Sequence, residues 1–370
     1  MTHMIDFLRN IVAFVVTLGI LVFVHEMGHY LAARWRGVYV EAFSIGFGRP
    51  LASWTDRLGT VWKLSWLPLG GYVKLHGQER PEDVTDEVRG SWKRGMTFHE
   101  KSVASRAIIV AAGPIANFVL AVVLFSALFV AVGRPIALPE VGDVVADGAA
   151  AQAGLMLGDR IDSIDGVPTP RFEDIQRIVA GKPGRTLDLV IRRDGAEKKV
   201  SVVIGSHEEP GGKTVGLLGI RGGAVEYQRV DPLTAIQAGV VQTYEVGAGT
   251  LQGVGQMISG SRGTEELSGP LGIMKLSGDF AKLGLSVMVS FIAVLSVNLG
   301  LVNLFPIPVL DGGHLLFYLA EALRGRPLPP RMLEYGFRAG FALLAGLFVF
   351  ATWNDLTHMG LFRWVAGLIG

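Results

Sequence analysis

Residues 7–33 read FLRNIVAFVVTLGILVFVHEMGHYLAA, and this stretch decides how the rest of the chain is read. As a helix it exceeds the roughly 20 mostly apolar residues that cross a bilayer, yet it carries His25, Glu26 and His29 near its end. Ionisable residues at membrane depth are costly and mark function. On a helix, positions i and i+4 project from one face a turn apart. His25 and His29 can therefore share one Zn²⁺, with Glu26 beside them as general base toward water. Histidine is only 8 of 370 residues, so a chance HExxH is on the order of one percent. A cleavable signal peptide is the other reading of such a stretch. This one is long for that, and cleavage would discard the three ionisable residues.

Working outward, residues 107–132, about 285–304 and about 337–353 are also apolar enough to span. The chain is 50% apolar and 18% charged, against about 25% charged in soluble domains. A polytopic α-helical membrane protein with about four transmembrane helices follows, with the lipid bilayer as a partner. The 34 Lys+Arg against 33 Asp+Glu leave a net charge of +1, which points away from nucleic acid. Zero cysteines exclude disulfides, thiolate metal sites and cysteine nucleophiles. Any metal must be held by His, Asp or Glu.

The chain divides into a first transmembrane helix (1–36), a β-containing insert (37–103), a second transmembrane helix (104–134), and an α+β domain (135–224). A linker with amphipathic helices (225–283), a third transmembrane helix with its loop (284–323) and a fourth with a C-terminal interfacial segment (324–370) complete it. Residues 231–258 have the spacing of a helix lying on a membrane or on the spans. In the insert, residues 61–66 alternate as a short strand and Pro68-Leu69-Gly70-Gly71 reads as a turn. Arg34, Arg36, Arg49, Arg57, Lys93, Arg94, Lys101 and Arg106 cluster in one joint between spans. Arg324, Arg326, Arg331 and Arg338 cluster in another. By the positive-inside rule both joints face the cytoplasm. Residues 134–283 and both termini then lie outside, and the zinc site lies toward the cytoplasmic side.

Two histidines do not close a site, because a hydrolytic zinc takes three protein ligands and keeps one position open. Residues 303–314, NLFPIPVLDGGH, begin apolar and are broken by Pro306 and Pro308. They then present Asp311 before two glycines. Broken backbone at membrane depth is tolerated where it lines a watery cavity, which hydrolysis needs. Asp311 is the expected third ligand.

HEMGH in the first span together with NLFPIPVLDGGH resembles the site-2 protease family of intramembrane zinc metalloproteases, nearest its bacterial regulator-of-sigma-E protease branch. Residues 46–50 (GFGRP), 68–74 (PLGGYVK) and 113–117 (GPIAN) are similar to the same branch. The resemblance implies His25, His29 and Asp311 as zinc ligands, Glu26 as base, and a bacterial cytoplasmic-membrane location. It implies regulated intramembrane proteolysis of single-span membrane proteins, such as anti-sigma factors or remnant signal peptides. Asn298 and Asn303 would either make interhelical hydrogen bonds or, as the resemblance implies, hold the substrate backbone or orient the scissile carbonyl. The insert would be a membrane-associated β-hairpin whose edge pairs with substrate, or one that packs under the spans. Asn117 is expected to bond backbone freed by Pro114 or else to contact substrate, and His314 to cap the resumed helix or lie behind the metal ligands. His3, His76, His99, His207 and His358 read as surface or interface residues.

Residues 137–222 resemble a PDZ domain, so the fold class becomes a four-span protein with a cytoplasmic-side β-hairpin insert and one extracytoplasmic PDZ-like domain. Residues 172–180 would be its groove helix, with strands at about 186–192 and 198–204. Gly216, Leu217, Leu218 and Gly219 would form a loop that receives peptide C-termini. Alternatively the domain only blocks bulky substrates. Many members of the branch carry two such modules, and this chain has room for one. Two other readings compete: a non-catalytic PDZ scaffold, which predicts a decayed zinc motif, and a broken-helix transporter, which predicts related halves. Neither feature is found.

Overall fold

The computed structural model describes residues 2–79, 84–208, 214–261, 263 and 268–358. Helix α1 (Thr2–Trp35) carries the first apolar run and contains no proline. Strands β1 (Val40–Thr55) and β2 (Val61–Leu75) follow. Their connecting turn is held by Asp56, whose Oδ1 accepts from the Leu58 and Thr60 N–H groups at 2.8 and 3.0 Å.

Both strands bend, so that two strands make four paired segments. Val40–Ile45 lies between Leu75–Gly71 on one side and Val61–Leu64 on the other, and Pro50–Thr55 pairs with Ser65–Val61. Gly71–Leu75 and Pro50–Thr55 are left at the two edges. The chain reverses inside β2, since Val61–Leu64 runs in the same direction as Ala42–Ile45 and Gly71–Leu75 runs opposite to it. The expected turn at Pro68–Gly71 lies in this reversal, with Gly70 at φ +99, a conformation that glycine adopts cheaply.

Helix α2 (Asp86–Gly90) and helix α3 (Val103–Ala131) complete the first part of the chain. Helices α1 and α3 cross closely at Gly28, where a β-carbon would overlap the Ala112 carbonyl. Small residues let two backbones approach in this way.

Residues 129–235 form a compact unit of their own. Its elements are β3 (Arg134–Ala137), β4 (Val141–Val144), α4 (Ala149–Gln152), β5 (Arg160–Ile164), β6 (Val167–Pro168), α5 (Phe172–Ala180), β7 (Thr186–Arg193) and β8 (Ala196–Val203). Then come β9 (Gly205–Glu208), β10 (Thr214–Leu217), β11 (Ile220–Gly222) and β12 (Val225–Gln228). A four-stranded sheet in the order β6-β5-β7-β8 carries the core, and β9–β10, β4–β11 and β3–β12 form separate antiparallel pairs. Strand β7 alternates buried Leu187, Leu189 and Ile191 against Ile161 and Ile164 of β5 and Ile175 and Val179 of α5. That is the period-2 pattern of a half-buried strand. Because β12 pairs with β3, this unit runs past the boundary expected at residue 224. Pairing between strands 90 residues apart leaves no local signal.

Helix α6 (Pro232–Ile258) returns along the spans. A β-carbon at Gly239 would overlap Ser126 of α3, and Gly247 lies against Val297 and Leu301. Helix α7 (Pro270–Lys282) packs on α1, with Gly278 against Asn10. Helices α8 (Leu285–Leu304) and α9 (Asp311–Arg324) are two pieces of what reads as one third span, and α10 (Pro330–His358) closes the chain. It begins seven residues before the expected 337, because Arg331, Glu334 and Arg338 depress local hydropathy without breaking the helix. Arg338 and Glu334 pair along its exposed face at 2.6 Å. Helices α1, α3, α8 and α10 are each long and apolar enough to cross a membrane.

Candidate metal centre

The chain break between α8 and α9 is the local cause of the site. Pro306 and Pro308 interrupt the helix, and Val309 is forced to φ +98, a conformation that a β-branched residue adopts only under constraint. Gly312 and Gly313 then restart the helix against the loop itself. A β-carbon on Gly312 would overlap Leu304 O, and one on Gly313 would overlap Ile307 O. The two glycines are thus required by close backbone approach, and Asp311 becomes the first residue of α9.

Asp311 Oδ2 lies 3.2 Å from His25 Nε2 and 3.4 Å from His29 Nε2, and the two Nε2 atoms are 3.2 Å apart. A tetrahedral ion with ligands at about 2.0–2.1 Å has ligand–ligand edges of about 3.3–3.4 Å. The donor chemistry fits a cation as well. His29 Nδ1 lies 2.9 Å from Ile109 O, and a carbonyl only accepts, so Nδ1 carries the hydrogen and Nε2 is bare. A bare imidazole nitrogen facing a buried carboxylate oxygen is repulsive unless a cation or a proton lies between. These three residues are the one His/Cys/Asp/Glu group among the described residues arranged to hold a metal.

Helix α3 makes room for the rings. A β-carbon on Gly113 would overlap His29 Nε2 and come within 2.9 Å of His25 Cε1. One turn further, Asn117 is fully buried, and its Nδ2 lies 3.2 Å from His25 Nδ1. This differs from the expected bond to backbone freed by Pro114. The Asn117 carbonyl accepts Ser296 Oγ of α8 at 2.7 Å. The GPxxN stretch therefore lines the His25–His29–Asp311 group, and Pro114 lies inside the continuous helix α3.

Glu26 lies beside the sheet edge. The Val73 N–H of β2 is a hydrogen-bonding neighbour of its carboxylate. A β-carbon on Gly71 would meet Glu26 Cγ at 3.1 Å. The outer face of the edge segment Gly71–Leu75 is thus turned to the carboxylate expected to act as base.

The other expected residues lie elsewhere. Asn298 Oδ1 accepts Thr250 Oγ1 of α6 at 2.8 Å, and Asn303 Nδ2 donates to Leu299 O of its own helix at 3.0 Å. Neither hydrogen-bonds the His25–His29–Asp311 group. Asn298 lines an apolar cavity of about 390 Å³ with Phe14, Leu18, Leu21, Gly70 and Ile273. His314 does not cap α9; its ring lies against Phe337, with centroids 5.4 Å apart. His76 is buried, with Nδ1 2.7 Å from Glu41 Oε1 and Nε2 accepting the Lys93 N–H at 2.9 Å. It is a structural joint of the insert. The side chains of His3 and His358 lie outside those described.

In the 129–235 unit, Gly216 is packed under α5, where a β-carbon would overlap Val179 O. Leu218 is a core residue, while Leu217 is half exposed. Gly219 turns the chain at φ +78. The Leu218 and Gly219 carbonyls are held inside the unit by the Ala150 and Val145 N–H groups, at 2.8 and 2.9 Å. Asp159 has no exposed surface and binds Arg193 through both oxygens at 2.7 Å and the Met156 N–H at 2.8 Å. Burial opposes its charge, but these donors outweigh it and hold the carboxyl below the usual range.

An HExxH helix, an aspartate from a broken partner helix and helices of membrane length together define a metalloprotease built into the membrane. The chain belongs to peptidase family M50, whose family model matches residues 13–347. A Rhizobium meliloti protein carrying a zinc-metalloprotease name is 44% identical over 97% of this chain and 100% of its own length. Metalloprotease MmpA of Caulobacter vibrioides is 38% identical over 99% of this chain and 100% of its own. The regulator of sigma-E protease RseP of Escherichia coli is 33% identical over 96% of this chain and 100% of its own. A PDZ domain of an SdrC-like protein from Listeria monocytogenes aligns with 22% of this chain and 82% of its own, at 22% identity and a TM-score of 0.20.

Proposed function

We propose that this protein is a zinc-dependent endopeptidase that cuts a peptide bond within the transmembrane segment of single-span membrane proteins. His25, His29 and Asp311 would hold the metal and Glu26 would be the general base. The observation that carries this reading is the convergence of three metal-donor atoms at tetrahedral spacing, with Glu26 adjacent, on helices of membrane length. When bound, Zn²⁺ supplies Lewis acidity to the scissile carbonyl and to the attacking water. The Glu26 carboxylate takes the proton from that water and returns it to the leaving amide nitrogen. Asp311 and the two Nε2 atoms would have to stay unprotonated to hold the cation.

A membrane substrate arrives as a helix but is cut when extended. The edge segment Gly71–Leu75 offers the unwound stretch a row of backbone partners directly beside Glu26. The relation to the regulator of sigma-E protease supports anti-sigma factors and remnant signal peptides as the substrate class, and a bacterial cytoplasmic membrane as the site of action. The 129–235 unit would act outside the cytoplasm as a PDZ-like reader of peptide C-termini through its 216–219 loop, or as a size filter.

Cleavage of a tagged single-span substrate in reconstituted membranes tests this, comparing wild type with Glu26→Gln. Cutting inside the span by wild type and loss by at least about 10³-fold in the variant, with zinc retained, is the expected result. Equal cutting by both would remove Glu26 from the mechanism.

A further inference from the structure

We infer that Asn117 is a positioning residue for the metal, accepting a hydrogen bond from His25 Nδ1–H through Oδ1 when Zn²⁺ is bound. This rests on the zinc reading above. The argument starts from the two rings, which are not held alike. His29 Nδ1 meets a backbone carbonyl, which leaves Nε2 as the bare nitrogen of the neutral ring. His25 Nδ1 meets a carboxamide instead, and a carboxamide can donate or accept.

With Nδ2 toward the ring, His25 Nδ1 must be the acceptor, and Nε2, 3.2 Å from Asp311 Oδ2, carries the hydrogen of the neutral ring. That tautomer suits an empty centre and forbids metal ligation through Nε2. The same orientation leaves Asn117 Oδ1 buried without a partner. Turning the carboxamide over exchanges two groups of the same shape. It gives Oδ1 a hydrogen bond from the ring of a cationic centre and moves Nδ2 to the unpartnered position. Hydrogen bonds assisted by charge are about twice as strong as neutral ones, so ligation favours the turned form.

The surroundings fix where the carboxamide can act. Asn117 lies one helical turn beyond Gly113 and two beyond Ile109. The three present, in order, an acceptor for His25, clearance for both rings and an acceptor for His29. Ser296 Oγ pins the Asn117 backbone from α8, and the residue is fully buried. The carboxamide can flip there, but it cannot leave.

The test uses the full chain in detergent micelles, with zinc affinity read by chelator competition. Asn117→Leu keeps the shape and removes the acceptor. Asn117→Asp keeps an acceptor and removes the donor. Zinc affinity is expected to fall about 10–100-fold in Asn117→Leu and to stay within about threefold of wild type in Asn117→Asp, with metal-free melting matched between the two. Equal affinity in wild type and Asn117→Leu, or an equal loss in both variants, overturns the inference. Histidine ¹⁵N spectra of the zinc-loaded wild type test it without any substitution: His25 Nδ1 must be protonated, and a bare Nδ1 overturns it. Wild type that binds no zinc, matching His29→Ala, refutes the zinc reading itself, whereas normal wild-type binding with an indifferent Asn117 refutes only this inference.

Discussion

A methyl group on Gly113 would fall inside the van der Waals surface of His29 Nε2. Gly113 therefore sets the separation between α3 and the two imidazoles, and no side chain can share that space. Gly113→Ala is expected to lose more than about 100-fold in zinc affinity and in proteolysis together. Helix content should be kept, since alanine favours helix. Chelator competition and far-UV circular dichroism on one sample check both halves.

Two glycines of α10 separate backbone constraint from side-chain constraint. A β-carbon at Gly340 would overlap the Pro308 carbonyl, whereas at Gly336 it would meet the Phe317 ring edge at 2.9 Å. The carbonyl belongs to the break that aims Asp311 and cannot yield, but a ring can turn. Gly340→Ala should cost at least about tenfold in activity through lost zinc affinity, and Gly336→Ala less than about threefold. Equal effects would show that α10 does not brace the Asp311 loop.

Thr250 occupies Asn298 Oδ1, so the asparagine expected to hold substrate is already engaged. Thr250→Val should destabilise the protein by about 1–3 kcal/mol by stranding that oxygen beside an apolar cavity. If Asn298 grips the substrate backbone, releasing it should also lower KM while leaving kcat in place. Melting and steady-state kinetics separate the two effects. An unchanged KM would remove Asn298 from substrate binding.

Asp159 gives the 129–235 unit a pH dependence. Its carboxyl is held below the usual range in the folded state, so its contribution is complete above the unfolded value of about 3.9. That contribution is lost as pH falls through the lower folded value. Amide exchange in β5, β7 and β8 should stay slow down to about pH 4 and accelerate below it. Asp159→Asn should show faster exchange already at pH 7, because it takes the carboxylate away from the Arg193 guanidinium and the Met156 N–H.

The parts of this protein that were legible in advance are those whose signal is local. His25, Glu26 and His29 are written one helical turn apart. Pro306, Pro308, Gly312 and Gly313 announce a break just where Asp311 is presented. The strands β7 and β8 and the helix α5 lie where the likeness to a PDZ domain implies them. What the sequence does not announce depends on distant partners. The fourfold pairing of β1 and β2 brings together segments far apart in the chain. The pairing of β12 with β3 joins strands about 90 residues apart. Pro114 offers Asn117 a nearer partner than the His25 ring, which lies on another helix. The partners that bury His76, Glu41 and Lys93, are distant in the chain.

The three candidate metal donors come from opposite ends of the polypeptide, with Asp311 following His29 by 282 residues. During synthesis at about 5–20 residues per second, a growing chain holds the two histidines for about 15–60 s before the aspartate exists. On the function proposed above, a ribosome-bound intermediate would in this respect be a zymogen with no propeptide, its zinc site incomplete until α9 is made.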